Sequence, residues 1–403
     1  MTTISIRDHK VRRLSTLVAL TASTALALSA CSSGDDSDTP ASSEAAADVT
    51  ITEPVAVTYD GGVALLDGES LEPIQQVEMD GFLRVNPAGD DNHVMVSTDN
   101  GFSVLDATHA SLTDVSFDGS EPGHVVLHGG KTVLYFDGDG RAVSFDPHEL
   151  AEGEPQNREY TSAEPHHGVA VELADGTMIS SVGNEETRSG ARAVDADGNE
   201  IATSSECPGI HGEAVAADEV VGFGCQDGVL LFKDGEFVKV PGSNPEYAYT
   251  GTQAGSEASP ILLGDYKVDP DAEREFPTQF ALVDTVTEQQ RVVPMPEGVS
   301  YSFRSLGRGP DGEALILGTD GQLHVIDPAT GAFTQSIPVV DEWQEPMDWQ
   351  DPRPAIFVRE ATVYVTDPAT NSIKSVDIAS GEVSPATSLD FTPNEISGTL
   401  HEH

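Results

Sequence analysis

Basic side chains are scarce in this chain of 403 residues: 20 lysines and arginines stand against 68 aspartates and glutamates, which gives a formal net charge of -48. Such a negative field repels the phosphates of nucleic acids and of anionic lipids, so it excludes nucleic-acid binding as a main activity. Aromatic residues make up only 6%, whereas glycine and proline number 38 and 25. This balance suits many short strands joined by tight turns, and it predicts an all-β fold.

Long apolar runs are also rare, and the longest lies near the N-terminus. Basic residues from Arg7 to Arg13 precede a stretch of apolar or small residues, which ends in Leu28-Ser29-Ala30-Cys31. The ending resembles a bacterial lipobox. It predicts a signal peptide over residues 1–30 and a lipidated Cys31 that anchors the protein to the outer face of the cell membrane. An ordinary cleaved signal peptide with an incidental cysteine is the alternative.

The segment after Cys31 has few residues that could build a core. Residues 31–48 contain no aromatic side chain and are rich in serine, alanine and aspartate. Such a segment cannot bury enough apolar surface to order itself, so we expect a disordered acidic tether. Beyond it, no apolar run approaches the roughly 20 residues that span a bilayer, and the lipid is the only membrane attachment that we expect.

From Val55 onward the chain repeats units of four short apolar stretches separated by turns, with a period of roughly 40 to 50 residues. One unit reads HVVLHGG, KTVLYFDGDG, RAVSFDP and REYTSAE. Four antiparallel strands in each unit are typical of a β-propeller blade. We expect the innermost strands to begin near Phe82, His124, His167, His211, Gly255, Phe303, Pro354 and Asn394.

The two ends of the repeat region are incomplete in complementary ways. The segment from Val55 to Met79 supplies three strands, and NEISGTL near the C-terminus supplies one. Joining both ends in one blade removes the unpaired sheet edges, so we expect the C-terminal strand to complete the N-terminal blade. The count favours eight blades. Seven is the alternative, because the unit from Gly255 to Met295 has weak strands and a charged insertion. We therefore expect residues 49–403 to form a single propeller domain.

Only three cysteines are present, and two remain beside Cys31. In an oxidising compartment, Cys207 and Cys225 are most simply a disulfide. A hairpin that turns near Ala217 to Glu219 would bring Cys225 back alongside the approach to His211, where Cys207 lies. A thiolate metal site that includes His211 is the competing interpretation.

Histidine recurs at one position of three consecutive units. Because all innermost strands of a propeller run the same way, histidines at their starts share one rim and can converge. Imidazole is a preferred ligand of zinc, so three such residues predict a Zn²⁺ site. Repeated structural histidines are the alternative, since duplicated residues are common in repeats. The three segments are Glu121-Pro122-Gly123-His124, Glu164-Pro165-His166-His167 and Glu206-Cys207-Pro208-Gly209-Ile210-His211.

The other histidines take a lower rank as ligands. His93 and His128 are reserve candidates, and the terminal His401 and His403 fit a frayed tail. We expect solvated positions for His109, His148 and His324. Catalytic motifs such as Gly-x-Ser-x-Gly or His-Glu-x-x-His are missing, so the sequence predicts no enzyme.

The segments HHGVAVELADG and CPGIHGEAVAADEVVGFGCQDGVLLF resemble the AztD-type zinc metallochaperones, extracytoplasmic propellers that pass zinc to the solute-binding protein of a zinc ABC importer. The resemblance implies zinc bound by His124, His167 and His211, with His166 as a possible substitute. Such proteins can carry a histidine- and aspartate-rich flexible segment near the mature N-terminus. Here residues 31–48 contain aspartate but no histidine, so no transfer role for this tether follows.

These patterns predict a monomeric, lipid-anchored, extracytoplasmic metallochaperone that delivers zinc to the solute-binding protein of a zinc ABC transporter. The alternative of another class is a metal-free propeller lipoprotein that binds proteins or ligands. A propeller hydrolase or lyase using the histidine cluster is a third interpretation.

Overall fold

The computed structural model describes residues 50–244 and 246–400. This part of the chain forms eight antiparallel sheets in a ring, seven with four strands and one with a fifth short strand. The predicted all-β, eight-bladed propeller is therefore confirmed, and the seven-bladed alternative is wrong. The predicted signal peptide, Cys31 and the tether lie outside the described residues. Within them, no helix has both the length and the apolar character needed to cross a bilayer.

We number the blades from the N-terminus and give their strands from the innermost to the outermost. Blade 1 contains Ile396–Gly398, Val55–Tyr59, Gly62–Leu66 and Pro73–Glu78. Blade 2 contains Arg84–Pro87, His93–Thr98, Gly101–Asp106 and Ser111–Asp118. Blade 3 contains Pro122–His128, Lys131–Phe136, Arg141–Phe145 and Asn157–Thr161, with a 3-10 helix at Pro147–Glu152. Blade 4 contains Ala170–Glu172, Met178–Gly183, Arg188–Val194 and Glu200–Ser204.

The second half of the ring follows the same order. Blade 5 contains His211–Ala216, Val220–Cys225, Asp227–Lys233 and Glu236–Pro241, with a 3-10 turn at Ala217–Glu219 and a short parallel strand at Ala248–Tyr249. Blade 6 contains Gln253–Ala254, Ile261–Asp265, Gln279–Asp284 and Gln289–Pro294. Blade 7 contains Tyr301–Arg308, Ala314–Gly318, Gln322–Asp327 and Ala332–Pro338. Blade 8 contains Ala355–Arg359, Thr362–Asp367, Ser372–Asp377 and Thr387–Ser388.

The burial of each strand follows its place in the blade. Second strands such as Ala314–Gly318 are buried at every residue, because both of their faces pack against neighbouring blades. Outermost strands such as Ala332–Pro338 alternate between exposed residues and residues that are partly or fully buried. The core therefore lies between blades. For example, Phe102 of blade 2 meets Phe136 of blade 3 edge to face, with ring centroids 5.1 Å apart.

The ring closes as the sequence predicts, with the C-terminal strand in the N-terminal blade. Val57 pairs with Ile396 and Val55 pairs with Gly398 in antiparallel register. Arg359 of blade 8 lies beneath this junction, only 4% exposed, and donates hydrogen bonds to the carbonyl oxygens of Pro54 and Thr399. One buried guanidinium therefore holds backbone from both ends of the propeller.

The alternation of strand direction sorts the connections between two faces. The loop from an outermost strand to the next innermost strand lies on one face of the ring, together with the turns between second and third strands. We call this the loop face. The turns between first and second strands, and between third and fourth strands, lie on the opposite face.

Candidate metal centre

Three histidines from consecutive blades meet on the loop face. His124 lies in the innermost strand of blade 3, His167 precedes that of blade 4, and His211 begins that of blade 5. One ring nitrogen from each lies within 4.8 Å of the others. Blades 3 and 5 are not neighbours, yet the His124 and His211 ring centroids are 5.5 Å apart. The side chains therefore reach across the start of blade 4.

Each Nδ1 atom faces an oxygen atom, and for His167 and His211 this contact is a hydrogen bond that orients the ring. The His167 Nδ1 donates to Asp137 Oδ2 at 2.5 Å, and the His211 Nδ1 donates to the carbonyl oxygen of Gly251. The His124 Nδ1 lies 3.4 Å from a carboxylate oxygen of Glu213. Histidines that bind metals almost always donate their second nitrogen in this way, which fixes the ring and leaves Nε2 free for the ion.

Glycine next to two of these histidines leaves room for the orienting partners. A Cβ atom at Gly123 would lie 2.4 Å from Oδ1 of Asp137. Gly212 has a φ of +55°, and a Cβ atom there would lie 2.4 Å from the Gly251 oxygen. The strand register shifts between His211 and Glu213 at this point. Glycine is therefore needed where the backbone bulges and the carbonyl of Gly251 approaches.

The Nε2 atoms of His167 and His211 face each other at 2.8 Å. Because a carbonyl oxygen can only accept, the His211 hydrogen sits on Nδ1, and a neutral ring then carries a lone pair on Nε2. The carboxylate of Asp137 places the His167 hydrogen in the same way. Two lone pairs at this distance repel unless a proton or a cation lies between them. Imidazole nitrogens are donors that zinc prefers, and a tetrahedral zinc ion with Zn–N bonds of about 2.0 Å would hold two of them about 3.3 Å apart, slightly farther than they stand here.

Protonation of His211 is disfavoured. Burial of the ring holds the pKa of His211 well below 6.5, and the neighbouring His124 and His167 rings lower it further. Arg188, which begins the third strand of blade 4, adds positive charge that acts in the same direction. His211 therefore stays neutral, the form in which imidazole binds a metal.

His166, the possible substitute ligand, lies apart from this cluster. It is 3% exposed, its Nδ1 donates to the carbonyl oxygen of Glu164 at 2.9 Å, and its Nε2 accepts from the Ser181 hydroxyl at 2.9 Å. Burial lowers its pKa. Both ring nitrogens are hydrogen-bonded where the chain enters blade 4, so the structure brings together three of the four histidines singled out in the sequence.

Cys207 and Cys225 form a disulfide with a Cα–Cα distance of 4.9 Å. Both residues are fully buried. The bond joins the loop that leads to His211 with the second strand of the same blade, so it fixes the approach of one ligand. Neither sulfur is available as a thiolate in this state.

The reserve histidines do not converge on a common point. His128 lies on the opposite face, where Glu219 is 3.0 Å from its Nε2 and Glu257 is 3.9 Å from its Nδ1. Because the two carboxylates lie near different nitrogens of the ring, His128, Glu219 and Glu257 do not point to one common position where an ion could bind. His93 is buried and paired with Asp90 at 2.6 Å. In the described ranges 50–244 and 246–400, His124, His167 and His211 form the one cluster of three potential ligands.

The expectation that His324 is solvated is wrong. The residue is 1% exposed, and its Nδ1 lies 2.9 Å from the hydroxyl oxygen of Ser336. His109 and His148 are exposed, as expected. The third strand of blade 7 is covered on both faces, and the sequence pattern around His324 does not distinguish a buried polar residue there.

Lowered histidine pKa values predict a pH-dependent stability for the metal-free protein. Burial lowers the pKa of His324 below 6.5 in the folded chain, so the unfolded chain takes up its proton first as the pH falls. The free energy of unfolding should therefore be highest above about pH 6.5 and fall below it, until the pH passes the folded pKa. Urea titrations in EDTA at pH 7.5, 6.5 and 5.5 measure this. His324→Gln should weaken the dependence and the exposed-site control His148→Gln should not; equal dependence in both would contradict the assignment.

The chain is similar to the zinc chaperone AztD of Citrobacter koseri, with 29% identity over 316 residues that cover 74% of this chain and 72% of that protein. The structure of apo AztD from the same organism matches with a TM-score of 0.73 and 24% identity, covering 86% of this chain and 96% of that chain. A further AztD crystal structure from Citrobacter koseri matches with a TM-score of 0.71 and 23% identity, covering 87% and 98%. No protein-family profile matches. The resemblance to the AztD-type zinc chaperones is thereby confirmed.

Proposed function

We propose that this AztD-type propeller carries a single zinc ion between His124, His167 and His211 and delivers it to the solute-binding protein of a zinc ABC transporter. The observation that carries the proposal is the convergence of three imidazoles whose Nδ1 atoms each face an oxygen acceptor. The donor set is that of an open zinc site, with three protein ligands and a fourth position available to water or to an incoming ligand.

The charge and exposure of the site suit a cargo ion rather than a structural one. All three ligands are neutral when they bind, so they hold the ion without the charge that thiolates would add. The side chain of His167 is 47% exposed, which leaves the ion open to a second protein. Asp137 and Glu213 supply nearby negative charge that offsets part of the charge of the ion.

The proposal includes where the protein works. Cleavage before Cys31 and its acylation would hold the propeller outside the cell membrane on the tether of residues 31–48. There the Cys207–Cys225 disulfide is stable. The proposal also takes the carrier to be monomeric and non-enzymatic, and no catalytic motif was identified in the sequence.

Metal analysis of the full chain, purified without an affinity tag, tests the zinc site. After exposure to excess zinc and desalting, the parent protein should retain one zinc per chain, and the triple variant H124A/H167A/H211A should retain none. The double variant H109A/H148A is the matched control and should retain one. Zinc should also raise the melting temperature of the parent, because a ligand at 1,000 times its Kd stabilises the fold by about 4 kcal/mol. A zinc-free parent, or equal zinc in the triple variant, would overturn the site.

Transfer is tested separately. Zinc-loaded parent protein is mixed with the metal-free zinc solute-binding protein of the same organism, the two are separated, and the zinc in each is measured. Most of the zinc should move to the solute-binding protein. Retention of the ion by the parent protein, with the acceptor competent to bind free zinc, would overturn the delivery role while leaving the zinc site intact.

A further inference from the structure

Large apolar side chains that face solvent are few, and three of them share the loop face with the histidine cluster. Among the described residues, the exposed large hydrophobic residues are Ile74, Leu112, Ile201, Val268, Val286, Met347 and Trp349. The first three lie on outermost strands, and Val286 lies in a turn of the opposite face. Val268, Met347 and Trp349 remain. They lie in the insertion of blade 6 and in the loop between blades 7 and 8, both on the loop face.

The loop of residues 339–354, which we call the acidic loop, is held in place by two arginines, of which Arg353 is buried and Arg274 is partly buried. Arg353 is 1% exposed and donates to Glu345 Oε1 at 3.0 Å and to the Asp348 carbonyl oxygen at 2.6 Å. Arg274, from the blade 6 insertion, donates to the same Glu345 oxygen. The indole nitrogen of Trp343 donates to the Gly318 carbonyl oxygen at 2.8 Å. These bonds fix the loop from within, so its outer side chains are presented in one arrangement.

Trp349 is fixed at its backbone and at one ring edge, yet its side chain remains open. Arg304 donates to its carbonyl oxygen at 3.2 Å, and the ring meets Phe82 edge to face with centroids 5.1 Å apart. The residue is nevertheless 46% exposed, and Met347 is 56% exposed. Tryptophan and methionine are enriched where proteins bind one another, and a rigid aromatic side chain loses little conformational entropy on binding.

The acidic loop surrounds these apolar side chains with charge. Four of its carboxylates are exposed: Asp341, Glu342, Asp348 and Asp351. Glu345 is neutralised internally by Arg274 and Arg353. The complement of such a surface is an apolar patch bordered by lysine and arginine. A second copy of this chain, with its charge of -48, and an anionic lipid surface would both be repelled.

The blade 6 insertion connects the acidic loop with the metal centre. The carbonyl oxygen of Gly251 accepts from His211, and the amide nitrogen of Gly251 donates to Asp265 Oδ1 at 2.5 Å. Asp265 ends the second strand of blade 6 and pairs with Lys267 at 3.1 Å, next to Val268. Further along the insertion, Arg274 binds the acidic loop through Glu345. The exposed apolar side chains and His211 thus belong to one connected part of the loop face.

We propose that Met347, Trp349, Val268 and the exposed carboxylates of the acidic loop form the docking surface for the zinc acceptor, a protein whose contact surface is apolar and bordered by basic side chains. The inference rests on the proposed delivery function. Docking here holds the acceptor on the face where His124, His167 and His211 present their ion, so that the open coordination position is reached from the bound partner.

The test uses the full chain, loaded with zinc, and the metal-free zinc solute-binding protein of the same organism. M347S/W349S should slow zinc transfer at least tenfold and weaken binding of the acceptor in surface plasmon resonance by a similar factor. D341N/E342Q should slow association, and 0.5 M sodium chloride should remove the difference between this variant and the parent. L112S/I201S removes two exposed apolar residues from outermost strands, each slightly less exposed than Trp349, and should transfer zinc like the parent.

Three outcomes separate this proposal from the function on which it rests. A parent protein that binds zinc but transfers none would overturn the delivery role. A parent that transfers zinc, with M347S/W349S transferring at the same rate, would overturn the docking surface alone. Slowed transfer from M347S/W349S supports the surface only if its zinc affinity and melting temperature equal those of the parent. A loss of either would show that the variant acts on the site or the fold, and would overturn docking as the cause.

Discussion

Zinc affinity should fall by at least about tenfold when His124, His167 or His211 is replaced singly with alanine, and by about 10–100-fold for Asp137→Ala. Replacement of any one of these histidines removes one of the three ligands. Replacement of Asp137 removes no ligand. Its carboxylate accepts a hydrogen bond from the Nδ1 of His167 at 2.5 Å. Loss of this carboxylate therefore frees the His167 ring to rotate and lowers the basicity of its Nε2. Competition against a fluorescent zinc chelator at pH 7.5 measures all four constants.

Asp139→Ala is the matched control for Asp137→Ala. Asp139 lies two residues away in the same turn, and its carboxylate accepts hydrogen bonds from the backbone and hydroxyl of Ser120 instead of from a histidine. Its replacement should leave the zinc constant unchanged. If Asp137→Ala bound zinc as tightly as Asp139→Ala, the orienting role of the carboxylate would be wrong. If His167→Ala did so, the ligand assignment itself would fail.

Deletion of residues 394–403 should lower the free energy of unfolding by more than about 5 kcal/mol, which is comparable with the whole stability of many domains. The deletion removes the buried Ile396 and the strand that pairs with Val55–Tyr59. Loss of a buried isoleucine costs about 2–5 kcal/mol, and loss of Glu395 leaves Arg304 buried without its carboxylate, which costs about 3–5 kcal/mol. Glu395 lies 2.9 Å from Arg304 in the complete chain.

Urea titration followed by tryptophan fluorescence measures this loss. The control deletion removes residues 401–403 only and should unfold at the urea midpoint of the parent. A chain without residues 394–403 that unfolded cooperatively at that midpoint would show that blade 1 is stable with three strands, and that its fourth strand contributes little.

The blade repeat could be predicted because it leaves a local pattern. Each predicted innermost strand starts within three residues of the observed one, and the predicted closing strand pairs with Val57 through Ile396. Blade 6 is the weakest case, since its innermost strand is the two-residue segment Gln253–Ala254. It still forms a four-stranded blade, because the neighbouring blades cover a second strand, Ile261–Asp265, that is buried throughout.

The convergence of His124, His167 and His211 was foreseeable because equivalent repeat positions share a rim. Their orienting partners were not, because they come from separate parts of the chain. Asp137 lies in a turn between second and third strands, and its Asp-Gly pair indicates only a hairpin. The sequence nevertheless contained a usable signal for Asp137. Turns between second and third strands lie on the loop face, next to the start of the following blade, so a carboxylate in such a turn is a candidate partner for a histidine there. The choice between His166 and His167 as the ligand depends on which of the two rings is buried. Two adjacent residues in a loop show no periodic pattern, so the sequence does not indicate which one faces the core.

The shared blade at the ring junction also sets an order of events during biogenesis. Residues Val55–Glu78 are synthesised well before the strand that completes their sheet, Ile396–Gly398. The inner edge of Val55–Tyr59 therefore stays unpaired until more than 300 further residues have been added. Unpaired strand edges are templates for aggregation, and long-range pairing is the slow step in β-rich folding. A product truncated before Ile396 therefore keeps the open edge of Val55–Tyr59, whereas a chain that includes Ile396–Gly398 covers it.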